Sequence, residues 1–364
     1  MTQIAVIRGD GIGSDCIDAT LPILEKALAA VGLAMPRLDE INAGAGYFRE
    51  AGHDIEPEGE ARAEKADAIL LGAIGLPGIR LDDGTEISPH LRLRDRLGLY
   101  AGVRPVRAWP NSPKILAADE ASSIDLVLIR ESTEGLFYSA AVHNRSHVID
   151  NVLVEETLRI TRKTTEKLHK FAFNMAARRR ARGHPGRVTC VDKANVFTAM
   201  AFFRQIFDEI AATVPDITAD HAYVDAMALA LVRQPWAYDV LVTENMYGDI
   251  LSDLCAGLVG GMGIASCGEI GDAHGLFQPA HGSAPDIMGQ DKANPLATIL
   301  SGGLMLDYLA ERLGDERYAD AAMLIDTAVE CGFASKSLRP VEFGGDMGTR
   351  AVAAAVLESL GAPL

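Results

Sequence analysis

Five short apolar runs punctuate the chain: Ile4–Ile7, Ala68–Leu71, Leu126–Ile129, Val188–Val191 and Val240–Thr243. Between them lie longer segments, Asp15–Ala30, Asn151–Arg182, Ala194–Ala212 and Asp249–Val259, whose apolar residues recur every three or four positions. The runs have strand length, and the longer spacing gathers apolar side chains on one face of a helix. A chain that alternates strands with amphipathic helices has few ways to bury both, and the simplest is an α/β fold with helices packed on the sheet. At roughly 100–200 residues per domain, its 364 residues predict two domains or one large α/β unit. There is no internal repeat and no low-complexity linker.

Composition closes off other classes. Hydrophobic residues are 48% and charged residues 23%, which is globular and far from the regime of disorder. The longest stretch without Asp, Glu, Lys or Arg runs from Leu254 to Gly268, 15 residues with five Gly, whereas a spanning helix needs about 20 apolar residues. No membrane segment is expected. The N-terminus reads directly as a strand, without a basic region, apolar run and cleavage site. Cys16, Cys190, Cys255, Cys267 and Cys331 are odd in number and contain no Cys-x-x-Cys pair, so reduced thiols in a cytoplasmic protein are expected rather than disulfides or zinc. The net charge of -16 repels phosphate backbones. The one basic cluster, Arg178, Arg179, Arg180, Arg182 and Arg187, reads as a solvated helix C-terminus complementing the macrodipole, and no nucleic-acid partner is expected.

Several groups of residues carry chemistry. Gly9-Asp10-Gly11-Ile12-Gly13 follows a strand and precedes a helix but places its third glycine one residue early for a dinucleotide fingerprint; a tight strand-to-helix turn is the other reading. Arg94, Arg104 and Arg130 stand beside apolar or turn residues near strand ends, where guanidinium forks suit carboxylates or phosphates. Asp249 and Asp253 lie one helical turn apart and can share a cation. Lys193 ends an apolar strand, where a partly buried amine near carboxylates can serve as a base. His281-Gly282-Ser283-Ala284-Pro285-Asp286 reads either as an ordinary loop or as a backbone-lined cofactor cradle. The breaker-rich stretch Leu76–Pro89 reads as a loop of the kind that carries function.

Taken in order, GDGIG, LRLRDRLGLYAGVRPVR, IRESTEG, VDKANV, YVDAMALALVRQP, TENMYGDILSD, HGSAPDI with a downstream Ala293-Asn294-Pro295, and GGDMGT closely resemble the β-decarboxylating dehydrogenase family: isocitrate, isopropylmalate, homoisocitrate and tartrate or D-malate dehydrogenases. The resemblance covers nearly the whole chain. It implies the isocitrate/isopropylmalate dehydrogenase fold, a two-domain, non-Rossmann α/β fold with mixed sheets flanked by helices, in which GDGIG is a turn. Residues 1–99 with 260–364 would form a discontinuous cofactor-binding domain, and 100–259 an inserted domain with the metal site and dimer interface. It further implies a homodimer with shared sites, Lys193 and Asp225 of one chain facing Asp249 and Asp253 of the other.

The implied reaction is NAD-dependent oxidative decarboxylation of a small 2-hydroxy acid with a C3 carboxylate, a 3-substituted malate. Lys193, relayed by Asp225, would be the base. Asp225, Asp249 and Asp253 would hold Mg²⁺ or Mn²⁺, and Arg94, Arg104 and Arg130 the departing carboxylate. His281, Gly282, Ser283, Ala284, Asp286 and Asn294 would bind the cofactor, and Asp286 resembles the acidic residue of NAD-preferring members. The family's tyrosine acid falls on Phe137 here, leaving Tyr138 next to it as the expected proton donor. Ser88 and His90, before Arg94, stand where substrate selectivity resides, so 3-isopropylmalate competes with isocitrate, homoisocitrate, tartrate and D-malate. A noncatalytic regulatory subunit would usually lose the lysine or a metal aspartate, and this chain keeps Lys193, Asp225, Asp249 and Asp253.

Overall fold

A computed structural model of the chain describes residues 2–138, 146–150 and 152–360. The strands are β1 (Gln3–Gly9), β2 (Arg37–Glu40), β3 (Ala68–Ala73), β4 (Ala101–Arg107), β5 (Asp125–Glu131), β6 (His147–Ile149), β7 (Leu153–Glu155), β8 (Arg187–Asp192), β9 (Thr218–Tyr223), β10 (Val240–Thr243), β11 (Ser266–Ile270) and β12 (Gly275–Pro279). The helices are α1 (Gly13–Ala30), α2 (Ala45–Ala51), α3 (Gly59–Lys65), α4 (Pro89–Leu97), α5 (Arg162–Ala181), α6 (Thr198–Ala211), α7 (Val224–Arg233), α8 (Asn245–Val259), α9 (Leu296–Leu313), α10 (Arg317–Ala334) and α11 (Thr349–Ser359). All five apolar runs form strands. Among the described residues no helix is long and apolar enough to cross a membrane, and all five cysteines are free thiols.

Ten strands make one mixed sheet in the order β2-β1-β3-β12-β11-β4-β5-β10-β8-β9, and β6 with β7 makes a separate hairpin. Strands from residues 3–73 and 266–279 occupy one end of the large sheet, and those from 101–243 the other. The two ends meet where β11 pairs antiparallel with β4 over only Gly268↔Val103, Glu269↔Gly102 and Ile270↔Ala101. The central strands are buried on both faces, which is why β3 is apolar throughout. Ile17 and Leu24 of α1, with Ile299 and Leu306 of α9, pack against Val6, Leu70 and Phe277. Phe173 of α5 and Phe203 and Phe207 of α6 pack against Val103, Ile129 and Val242.

Two helical expectations are corrected. The periodic stretch Asn151–Arg182 begins with the hairpin strand β7, whose Leu153-Val154 pair favours extended backbone. The helix starts only at Arg162, where the Thr161 side chain caps it by accepting from Thr164 N. The stretch Ala194–Ala212 becomes helical at Thr198, after a turn in which Val196 N and Phe197 N both bond Lys193 O. The basic cluster largely ties α5 to its surroundings: Arg178 pairs with Glu311, Arg179 with Asp125 and Asp239, and Arg187 with Asp220.

One buried group makes this packing sensitive to acid. His169 of α5 is wholly buried, its Nε2 donates to Phe203 O at 3.1 Å, and its ring meets those of Phe203 and Phe207 edge-on. Burial pushes its pKa from 6.5 down to about 3, so the folded state rejects the proton that the unfolded chain accepts. Its contribution to stability is complete above pH 6.5 and is lost as the pH falls toward 3, at up to about 1.4 kcal/mol per pH unit. Urea unfolding of His169→Leu between pH 6.5 and 4.5 is expected to show a shallower fall in stability than the parent, by about one proton's worth. Parallel curves would contradict this origin.

Candidate active site

The parallel strands β5, β10, β8 and β9 end level with one another: Arg130 pairs with Thr243, Thr243 with Val191, and Val191 with Ala222. Open α/β sheets bind ligands beyond such carboxyl ends. Here the row delivers Arg130 itself, then Asn245 and α8 after β10, Lys193 after β8, and Asp225 at the start of α7 after β9.

The three arginines converge. Arg94, near the end of α4, Arg104 of β4 and Arg130 of β5 are all buried. Glu269 of β11 lies among them, wholly buried; its Oε1 accepts from Arg104 Nη2 at 2.8 Å and forms an ion pair with Arg94 Nη2 at 3.1 Å. Burial alone would raise its pKa, but Arg94, Arg104 and Arg130 hold the carboxyl well below the usual carboxylate range. Cys267 Sγ touches Arg104 Nη1. Arg130 donates to Asn245 Oδ1 through Nε at 3.0 Å and Nη2 at 2.7 Å, pairs with Asp249, and lies with Cζ 5.0 Å from the centre of the Phe137 ring. Burial, Arg94 and Arg104 lower its pKa to about 10 while Asp249 opposes them, which leaves it charged at neutral pH.

Asp249 and Asp253 share α8 one turn apart. Burial and then Asp249 raise the pKa of Asp253, a like-charge pair that a hard cation relieves. Asp225 lies elsewhere, with Oδ1 2.5 Å from Lys193 Nζ, and this hydrogen bond lowers its pKa. Among the described residues of one chain no three metal-ligating side chains converge. Ser88 is the N-cap residue of α4 and makes no side-chain cap bond. His90 lies in the first turn; burial, then Arg94, push its pKa down to about 3, so the ring is neutral, and its Nδ1 is shielded without a partner. Tyr138 lies against Arg159, whose Cζ stands 3.3 Å from the centre of its ring, while Phe137 stands beside Arg130.

At the other end of the sheet GDGIG is a turn between β1 and α1, as expected, and its glycines hold a neighbouring loop. Ile12 N donates to Ser283 O at 2.8 Å, and the Ser283 hydroxyl bonds Gly75 O. The buried Asp10 carboxylate accepts from Ala45 N, Gly46 N and Gly75 N at 2.7–2.8 Å. His281 Nδ1 donates to Gly282 O at 2.8 Å, leaving Nε2 shielded and without a partner. Above Gly282 there is open space, Ala284 holds φ at +35°, and Asp286 is exposed. Asn294, buried, donates to Glu342 at 2.8 Å and accepts from Leu296 N at the start of α9. An unpartnered ring nitrogen beside an open glycine suits a dinucleotide's polar edge, and three carboxylates suit Mg²⁺ or Mn²⁺.

Sequence reasoning missed Glu269 and Asn245. Asn245 was legible, since it stands four residues before Asp249 and so on the same helix face. Glu269 had a fainter signal, as the charge that ends the long uncharged stretch at Gly268.

Residues 3–356 match the family described as isocitrate/isopropylmalate dehydrogenase. The chain is 40% identical over 350 residues, 96% of both chains, to a 3-isopropylmalate/3-methylmalate dehydrogenase of Methanocaldococcus jannaschii. It is 38% identical to a 3-isopropylmalate dehydrogenase of Moorella thermoacetica, over 85% of each. Among solved structures it resembles isocitrate dehydrogenase from Methylococcus capsulatus with a TM-score of 0.83, 34% identity and 99% of both chains covered. The apo β-decarboxylating dehydrogenase of Thermococcus kodakarensis gives a TM-score of 0.78, 34% identity, and 99% and 96% coverage.

The turn and the loop make a paired prediction. Gly11 has φ +53°, and a Cβ there would lie 1.9 Å from Ser283 O, whereas one on Gly282 would meet nothing within 4 Å. Gly11→Ala should lose about 1–3 kcal/mol in urea unfolding and Gly282→Ala no more than about 0.5 kcal/mol. Equal losses would contradict the assignment of Gly11 to holding the loop.

Proposed function

The chain belongs to the isocitrate/isopropylmalate dehydrogenase family of oxidoreductases, and from that premise we propose that it catalyses the NAD-dependent, divalent-metal-dependent oxidative decarboxylation of a 3-substituted malate, of the 3-isopropylmalate type. The observation that carries this reading is the convergence of Arg94, Arg104 and Arg130 beyond the strand ends that also present Lys193, Asp225, Asp249 and Asp253. The relatives named for 3-isopropylmalate favour an alkyl substituent over the isocitrate, homoisocitrate, tartrate or D-malate alternatives.

Residues 1–99 with 260–364 form the cofactor-binding domain and 100–259 the inserted one, a division supported by the two ends of the sheet and their short β4–β11 joint. The site is completed in a homodimer: Asp249 and Asp253 of one chain with Asp225 of the other would hold the cation, and Lys193 arrives beside Asp225, a reading supported by the absence, among the described residues of one chain, of three gathered ligands. His281, Gly282, Ser283, Ala284, Asp286 and Asn294 hold the dinucleotide, and the exposed Asp286 carboxylate would repel a 2'-phosphate. Bound there, the dinucleotide would supply the hydride acceptor and the divalent cation Lewis acidity toward the substrate's oxygens.

The chain's own groups do the remainder. Lys193 takes the C2 hydroxyl proton, relayed by Asp225, whose Oδ1 lies 2.5 Å from its Nζ. Arg94, Arg104 and Arg130 orient the C3 carboxylate that leaves as CO₂; positioning of this kind is worth several kcal/mol. C3 must then be protonated. Phe137 cannot donate, and Tyr138 is the proposed acid, a role that requires its ring to leave Arg159.

The test is NADH formation and CO₂ release with 3-isopropylmalate, isocitrate, homoisocitrate, D-malate and tartrate, with Mg²⁺ or Mn²⁺ and with NAD or NADP. Equimolar NADH and CO₂, lost on chelation, are expected with the alkylmalate and NAD; no turnover with any of the five acids would overturn the reading. Lys193→Ala should lower kcat by about 10²–10⁴-fold. Tyr138→Phe should slow release of the decarboxylated product while NADH still forms; unchanged product formation would assign the proton to another donor.

A further inference from the structure

The counter-charge of the clamp comes from outside the sequence motifs. Glu269 stands opposite Gly102 in the pairing of β11 with β4, and a Cβ on Gly102 would lie 3.0 Å from Glu269 Oε2 and 2.6 Å from Ser132 Oγ. The pocket for this carboxylate is therefore shaped by a glycine that leaves room, the Ser132 hydroxyl, and the Arg94 and Arg104 guanidinia at 3.1 and 2.8 Å. Resting on the malate reading above, we propose that Glu269 is a positioning residue that aims Arg94 and Arg104 and lowers the charge of the clamp, so that the site selects malates with two carboxylates over those with a third.

The charge count supports this. Arg94, Arg104 and Arg130 bring three positive charges, and Glu269 cancels one of them, because it is wholly buried and ion-paired with two of the three. Asp249 also faces Arg130, but its side chain is half exposed and can turn to a cation. His90 adds no charge, since its ring is neutral. Two unbalanced positive charges then face the C3 carboxylate of an alkylmalate, whose other carboxylate goes to the cation, and a third carboxylate would enter a dry space that already holds an anion. Glu269 takes a hydrogen bond from Arg104 Nη2 and pairs with Arg94 Nη2, so one carboxylate oxygen sets how both guanidinia face the site.

Calorimetric binding of two unreactive probes, succinate with two carboxylates and tricarballylate with three, to the intact protein with Mg²⁺ reads this directly. The parent should bind succinate at least about tenfold tighter, and Glu269→Gln should move the affinity ratio at least about tenfold toward tricarballylate, as removal of a repelling charge requires. Glu269→Asp keeps the charge but shortens the reach, so it should keep the preference while weakening both probes. A merely structural role would weaken both probes equally in either variant. A parent that prefers tricarballylate, or a folded Glu269→Gln whose ratio stays within about twofold of the parent's, would overturn the proposal. If Glu269→Gln does not fold by circular dichroism, the parent ratio and Glu269→Asp decide. Because no turnover is needed, a chain that discriminates the probes yet reduces no NAD with any malate speaks against the reaction and leaves the role of Glu269 standing.

Discussion

Three guanidinia and one carboxylate share a space from which water is largely excluded, and much of the molecule is arranged to make that tolerable. A buried charge is strongly destabilising unless paired and hydrogen-bonded. Glu269 pairs with both Arg94 and Arg104 and is hydrogen-bonded by Arg104, and Asn245 with Asp249 meets the demand for Arg130. These side chains come from α4, β4, β5, β11 and α8, so the cluster ties together the two ends of the sheet at the joint where only three residue pairs bridge β4 and β11. On the proposed reading binding and folding are coupled, because a substrate anion would enter a network that also holds the halves together.

The second constraint is separation. On one chain the clamp sits with Asp249 and Asp253, while Lys193 and Asp225 form their own pair. If Lys193 is the base and Asp249 with Asp253 the cation site, as proposed, association of two chains is what brings them together. The exposed apolar side chains on α7 and α8, Leu229, Val232 and Ile250, fit such an association.

Much of this was legible in the sequence. The five apolar strands survive because burial on both sheet faces demands continuous Val, Ile and Leu, and the clamp arginines stand out because each directly follows or interrupts apolar sequence. What escaped was of two kinds. Strands such as β4, with Arg104, Pro105 and Arg107, and β9, half exposed, lack the apolar signature, and only their neighbours in the sheet define them. Glu269 looks like an ordinary surface acid until the register sets it opposite Gly102 and between two guanidinia. Pairing across 165 positions of sequence leaves no local trace. Phe137 and Tyr138 mark the converse case, where the sequence posed the question of the proton donor and the packing against Arg130 and Arg159 sharpened it.

The claim on which the account turns is that a working site takes the arginine clamp with Asp249 and Asp253 from one chain and Lys193 with Asp225 from another. Subunit complementation measures this directly: Lys193→Ala and Asp253→Asn proteins, each inactive alone, are unfolded together, refolded and assayed. Random pairing makes half the dimers mixed, and each mixed dimer carries one intact site, so about a quarter of the parent activity should return. A mixture as inactive as its components would mean that each chain holds a complete site.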